Sequence, residues 1–213
     1  MGIVKKADCV IFAAGDTVQK EIVCAYLTKE TYIIAADAGY AFCKALGYTP
    51  NLISGDFDSG ACPETDIETL RFNPVKDDTD SAMALKIAVE RGFKKIVLFG
   101  GTGSRLDHTF ANFDLCAYAK TQGVDLQLVD NHHEIFALHN ETVQLPKNPN
   151  RYVSVFAVGG ACTVSLKGFF YPLEHYTFKP FCGLGVSNEI TADTAEIVAE
   201  QGTALIFVTD KDN

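Results

Sequence analysis

The chain has no tryptophan and is short of cations: 18 lysines and arginines face 27 aspartates and glutamates, a formal net charge of −9. With no long Lys/Arg stripe to offset that charge, the balance argues against general binding to nucleic acid or to an anionic membrane surface, and leaves room only for a local basic pocket. Any ring that stacks on a ligand must be Phe, Tyr or His. The seven cysteines are odd in number and form neither a CxxC pair nor a Cys/His cluster with zinc-like spacing, which argues against a disulfide framework and a zinc ribbon. They read as reduced, mostly buried thiols of an intracellular protein. No apolar run approaches the roughly 20 residues of a membrane helix, and the opening "MGIVKKADCVIFAAG" fits a signal peptide poorly. A cytoplasmic location is the expectation. Internal repeats and low-complexity stretches are also missing.

What is present is the composition of an ordinary globular protein, 213 residues with 47% hydrophobic and 21% charged side chains. In the first 130 residues, "CVIFAA" (9–14), "YIIAAD" (32–37), "NLISGD" (51–56), "KIVLFGG" (95–101) and "DLQLVD" (125–130) are nearly continuous apolar runs ending in Gly or Asp. Such runs suit strands buried on both faces. The stretches between them, such as "TDSAMALKIAVERG" and "DHTFANFDLCAYAKTQG", carry helix formers and end at Gly. This alternation predicts an α/β domain with a mostly parallel sheet. After Asn131 the pattern becomes short, partly alternating segments separated by turn residues, "EIFALH", "TVQLP", "YVSVFAVG", "CTVSLKG", "AEIVAE" and "TALIFVT". They predict a smaller antiparallel β-sandwich. The expected division is 1–134 for the α/β domain and 135–213 for the sandwich.

Open α/β sheets bind ligands beyond the carboxyl ends of their strands, and the polar motifs gather there. Asp37 ends "YIIAAD". Asp56 and Asp58 follow "NLIS" in "SGDFDS" (54–59), and "KDDTD" (76–80) leads into a helix. Carboxylates packed this closely suit a hard divalent cation such as Mg²⁺, which takes oxygen ligands at about 2.0–2.1 Å. Taken alone, "KDDTD" also reads as a capped helix whose acids complement the helix dipole. "FGGTGSRLDH" (99–108) combines glycines that let backbone approach a ligand, Gly101 among them, with Arg105, whose guanidinium fork suits phosphate oxygens. It is neither a Walker A sequence nor GxGxxG, and in isolation it is equally a simple connection. His108, at a helix start, reads as a hydrogen-bonding residue rather than a base. In the second half, Ser187 and Asn188 of "GLGVSNE" (183–189) offer a hydroxyl and an amide to a neutral heterocycle. The rings of "FFYPLEHYTF" (169–178) offer apolar walls, and a hairpin turn beside core aromatics is the plainer alternative.

In order along the chain, "AADAG" (35–39), "SGDFDS", "KDDTD", "GGTGSRLDH" with Asn112 following, and "GVSNE" (185–189) resemble the motifs of the bacterial thiamine pyrophosphokinases. The family usually reads ADGG where Ala38 stands here. The resemblance implies an α/β nucleotide-binding domain followed by a thiamine-binding β-sandwich, in a homodimer with active sites between subunits. It also implies transfer of the diphosphoryl group of ATP to the hydroxyl of thiamine, giving thiamine diphosphate and AMP, with Mg²⁺ required and Mn²⁺ as its possible substitute. By this resemblance Asp37, Asp56, Asp58 and Asp80 would hold the metal, with Asp56, Asp58 and Asp80 closest to the chemistry. Asp37, Asp77, Thr79, Gly101, Arg105, Asp107, His108 and Asn112 would line the nucleotide and phosphate site, and Ser187 and Asn188 would meet thiamine. Three rivals remain at this point: a diphosphokinase for another hydroxymethyl heterocycle such as a pterin, a non-catalytic sensor, and a metal-dependent phosphohydrolase.

Overall fold

The computed structural model describes residues 3–57, 64–73, 78–180 and 182–212. Its contacts divide the chain into two units. One contains Val4–Asn112 and Leu128–Asn131; the other contains Ile3, Phe113–Gln127 and the described residues from His132 onward.

The first unit alternates strand and helix: β1 (Cys9–Phe12), α1 (Lys20–Tyr26), β2 (Tyr32–Ala36), α2 (Gly39–Ala45), β3 (Leu52–Gly55), β4 (Glu68–Arg71), α3 (Asp80–Glu90) and β5 (Lys95–Phe99). Helix α4 (Leu106–Thr121) and strand β6 (Asp125–Val129) follow, each contributing part of its length to this unit. The sheet order is β5-β1-β2-β3-β4 and every pairing is parallel. Its two central strands explain the unbroken apolar runs, because all four residues of β1 are buried and four of the five in β2 are. Val10, Phe12, Ile33, Val97 and Phe99 form one face and pack with Val23, Tyr26, Phe42 and Cys43 of α1 and α2. The opposite face, which carries Ile11, Ile34, Ala36, Leu52 and Ser54, lies toward α3.

Strand β4 is absent from the sequence expectation. It is an edge strand whose four residues are exposed or half-buried, so no apolar run marks it.

The second unit is antiparallel and comprises β7 (His133–His139), β8 (Thr142–Pro146), β9 (Arg151–Lys167), β10 (Leu173–Phe178) and β11 (Thr194–Asp210), in the order β10-β9-β11-β7. The expectation of short strands needs correction. "YVSVFAVG" and "CTVSLKG" form the single 17-residue strand β9, and "AEIVAE" and "TALIFVT" form the 17-residue β11. The apparent turn residues are bulges. Register shifts at Ala199/Gln201 and Gln201/Thr203, and Gly202 takes φ +84°, where an added Cβ would stand 2.4 Å from the carbonyl oxygen of Ala161. On either side of that break β11 pairs with different strands, β8 along Thr194–Val198 and β7 along Thr203–Thr209. Both halves of the ribbon supply one core, Val153 and Val155 from one end of β9 and Val164 and Leu166 from the other. Strands that bend at bulges in this way form the corners of a sandwich.

Two of these irregularities are clamped together. His175, at φ +47° beside a register shift in β10, places Nδ1 2.6 Å from Glu200 Oε2, while Ser165 Oγ bonds the other carboxylate oxygen of Glu200. The bond to Glu200 holds the His175 imidazole above its ordinary proton affinity. A raised histidine pKa stabilises the fold at low pH, and the contribution disappears as pH climbs through the folded value. The His175 ring is therefore expected to titrate above about 6.5, and Glu200→Gln to return it toward that value, as read by NMR. Equal midpoints in the two proteins would show that the pair does not form in solution.

Of the described cysteines, Cys9, Cys43, Cys116 and Cys162 are buried, Cys182 is half-buried and Cys24 is exposed. Burial pushes the Cys9 and Cys116 thiols up to about 12, so they are inert packing groups rather than nucleophiles. Among the described residues no helix is long and apolar enough to cross a membrane.

Candidate active site

A cavity of about 470 Å³ opens at the carboxyl ends of the strands in the first unit. Three of the predicted aspartates line it. Asp37 follows β2 in a left-handed conformation, φ +47°, which aspartate tolerates better than most residues. Its N–H donates to the carbonyl of Ser54 at 2.7 Å, which ties it to β3. Asp56 follows β3, and Asp80 opens α3. Asp58 and Asp77 lie outside the described residues. Among the described residues no three acidic, His or Cys side chains converge closely enough to form a metal site unaided.

Thr79 caps α3, its Oγ1 accepting from the Ala82 N–H at 3.2 Å. The cap reading of "KDDTD" therefore holds for Thr79, while Asp80, the next residue, lines the cavity.

Part of the cavity wall is two loops joined by main-chain bonds. The Ala13 N–H donates to Phe99 O at 2.8 Å, that of Gly15 to Gly100 O at 2.9 Å, and that of Asp16 to Thr102 O at 2.8 Å. Gly100 turns at φ +69°, and a Cβ there would stand 2.4 Å from the carbonyl oxygen of Ala13. Only glycine permits both the turn and this approach. Gly101, Arg105, His108 and Asn112 line the cavity beyond. Asn112 is buried, and its Nδ2 donates to Gly101 O at 2.7 Å, so its amide sets the loop. Asp107 does not line the cavity. It pairs with exposed Arg105 through two bonds, Nε to Oδ1 at 3.1 Å and an η-nitrogen to Oδ2 at 2.6 Å, which hold its carboxyl well below the usual carboxylate range. Asp107 thereby aims the guanidinium, leaving other Arg105 N–H groups to reach an anion.

The loop Ala13–Asp16 is the part that motif reading passed over. "AAGD" ends its strand in Gly and Asp as the other strands do, and that shared ending was the available signal. A second residue also escaped. Ser54 Oγ is fully buried and has no hydrogen-bond partner among the described residues, a condition that costs roughly 1–3 kcal/mol. Ala38, where the related motif carries glycine, is exposed and has φ −61° and ψ −12°, ordinary helical values that require no glycine.

In the second unit Asn188 is buried. Its Oδ1 accepts from Tyr171 N at 3.0 Å and Glu189 N at 2.9 Å, and its Nδ2 donates to Tyr171 O at 2.8 Å. The amide is thus committed to tying the loop of Phe170 and Tyr171 to "GVSNE". Ser187, at φ +58°, is exposed, as are Phe170, Tyr171, Leu184 and Val186.

Fold and site together define an α/β protein with an acidic, glycine-walled cavity at its strand ends and an antiparallel β unit presenting exposed rings. The thiamin pyrophosphokinase catalytic domain matches residues 23–128, and the thiamin pyrophosphokinase vitamin B1 binding domain matches residues 140–203. The thiamine pyrophosphokinase of Bacillus subtilis is 29% identical over 178 residues, 78% of this chain and 81% of the relative. A crystal structure of the B. subtilis enzyme superposes with a TM-score of 0.85 at 24% identity, covering 98% of this chain and 100% of that one. The thiamin pyrophosphokinase of Geobacillus thermodenitrificans gives a TM-score of 0.83 at 25% identity, covering 96% and 98%. The chain belongs to the thiamine pyrophosphokinase family. It is a transferase that forms thiamine diphosphate from thiamine.

Proposed function

We propose that the diphosphoryl donor is ATP, the second product AMP and the metal Mg²⁺, with Mn²⁺ able to replace it. The observation that carries this reading is the gathering of Asp37, Asp56 and Asp80 in one cavity with Gly101 and Arg105. Such a donor set is all hard oxygen and suits Mg²⁺, which binds through a few carboxylates with water and substrate phosphate completing its shell. Asp58 belongs to this set by its place in "SGDFDS". When bound, the ion supplies charge neutralisation for the phosphate oxygens.

In the reaction the thiamine hydroxyl oxygen bonds to the β-phosphorus of ATP, the bond from that phosphorus to the α,β-bridging oxygen breaks, and AMP leaves as the hydroxyl proton is lost. Positioning and electrostatics dominate such transfers. Arg105, aimed by Asp107, offers N–H groups to developing charge, and the loop around Gly100 and Gly101 brings main chain close to phosphate. Asp77, Thr79, His108 and Asn112 complete the nucleotide side, Thr79 and Asn112 by holding α3 and the glycine loop in place. The division of labour is residues 1–134 for ATP and metal and 135–213 for thiamine, in a cytoplasmic homodimer whose subunits share each active site.

On the thiamine side the two residues act differently. Ser187 is exposed and offers its hydroxyl directly; Asn188 orders the ring-bearing loop. Ser187→Ala is expected to raise the KM for thiamine about three- to tenfold with an unchanged melting temperature. Asn188→Ala, which leaves the Tyr171 main chain unpaired, is expected to raise that KM and also to cost roughly 1–3 kcal/mol of stability. Equal KM changes for ATP and thiamine would move both residues out of the acceptor pocket.

The deciding experiment is a product assay by mass, with protein, ATP, Mg²⁺ and thiamine against controls lacking thiamine or containing EDTA. Thiamine diphosphate and AMP formed together only in the complete mixture support the reading. ADP as the nucleotide product, or turnover untouched by EDTA, would overturn it.

A further inference from the structure

Ser54 is the one described residue whose buried side-chain oxygen has no hydrogen-bond partner. Apolar neighbours surround it along the sheet: it pairs in register with Ala36 of β2 on one side and Leu70 of β4 on the other. Alanine or valine would fill such a place without leaving a polar atom unpaired. The position of the hydroxyl is informative. Ala36, its partner on the same face, lines the acidic cavity. That face lies toward α3, whose first-turn residues Asp80 and Ser81 line the same cavity, and Ser54 is the penultimate residue of β3. The first residue of that turn is Asp80. Through its carbonyl Ser54 also holds the N–H of Asp37, and it lies two residues before Asp56. It is thus linked by main chain, sequence or facing position to Asp37, Asp56 and Asp80, three of the four described aspartates that line the cavity.

We propose that Ser54 is a positioning residue for this cavity, its hydroxyl acquiring its acceptor in the carboxylate of Asp80 when nucleotide and metal fill the site. Ligand-free protein then carries a buried polar defect that the loaded protein repairs, so part of the binding energy is drawn from relief of that defect. The inference rests on the nucleotide reading above.

Thermal unfolding of the purified full chain with and without Mg²⁺ and ATP tests it, comparing wild type, Ser54→Ala and Ser54→Cys, together with steady-state kinetics. Ligand-free Ser54→Ala is expected to melt about 2–5 °C above wild type, because an unpaired hydroxyl has been removed. It is also expected to gain less from Mg²⁺ and ATP than wild type does, and to show a KM for ATP raised about five- to tenfold. Ser54→Cys, with its weak donor, should fall between the two in KM. A ligand-free Ser54→Ala that melts at or below wild type would mean the hydroxyl is already satisfied by internal water, and would overturn the proposal. A higher melting point with an unaltered response to Mg²⁺ and ATP would overturn it as well. Wild type unmoved by Mg²⁺ and ATP would instead remove the nucleotide reading, and this proposal with it.

Discussion

Replacing Asp56 with asparagine is expected to lower thiamine diphosphate formation by about a hundredfold or more, the scale on which one fixed electrostatic group at a reacting centre acts. The side chain is half-buried in the cavity wall immediately after β3, and the amide matches the carboxylate in shape. Packing is therefore conserved and the melting temperature should stay within about 2 °C of wild type, because a near-isosteric change in a polar cavity perturbs stability little. What is lost is an anionic oxygen able to hold a divalent ion. Turnover measured across a Mg²⁺ titration should show a higher ion requirement as well as a lower ceiling. Near-normal rates at ordinary Mg²⁺ would remove Asp56 from the metal set and weaken the case for Asp58 beside it.

The largest stability effect is expected at Gly100. Alanine there must adopt φ +69° and place its Cβ 2.4 Å from the carbonyl oxygen of Ala13, which is main chain in a strand-end loop and cannot swing aside. Backbone strain and overpacking together should cost roughly 2–4 kcal/mol, a fall in melting temperature on the order of 5–15 °C. The substitution also pushes apart the two loops that wall the cavity, so turnover should fall beyond what the stability loss explains. Gly92→Ala is the control. Gly92 has φ +89° with nothing among the described residues within 4 Å of the added methyl, so it isolates conformational strain from the clash. Similar losses at the two positions would show that the contact between the loops contributes nothing.

Much of this architecture is legible in one dimension. Strands β1, β2, β3, β5 and β6 are short apolar runs closed by Gly or Asp, because a strand covered on both faces has no place for polar side chains and the chain must turn at its end. The sequence motifs, in order, also identify the family. Strand β4 left no mark because none of its four residues is buried. The sandwich strands were divided in two because a glycine within a bulge and a glycine within a turn look alike until the partner strand is known. Asn188 could be selected as an amide able to bond a ligand, and Asn112 by its place in the family motif. That both amides are committed to main chain, of Gly101 and Tyr171, depends on segments distant along the chain.

The sequence by itself determined the class of the fold and the family, and it marked the side chains proposed to carry the chemistry, since these depend on residue type and local order. Tertiary structure alone decided which of those side chains share one cavity and which support it from behind. It also decided that Gly15 and Gly100 lock two loops together, and that Ser54 is a buried hydroxyl without a partner among the described residues. Each of these is a distance between residues remote in sequence, set by the register of neighbouring strands.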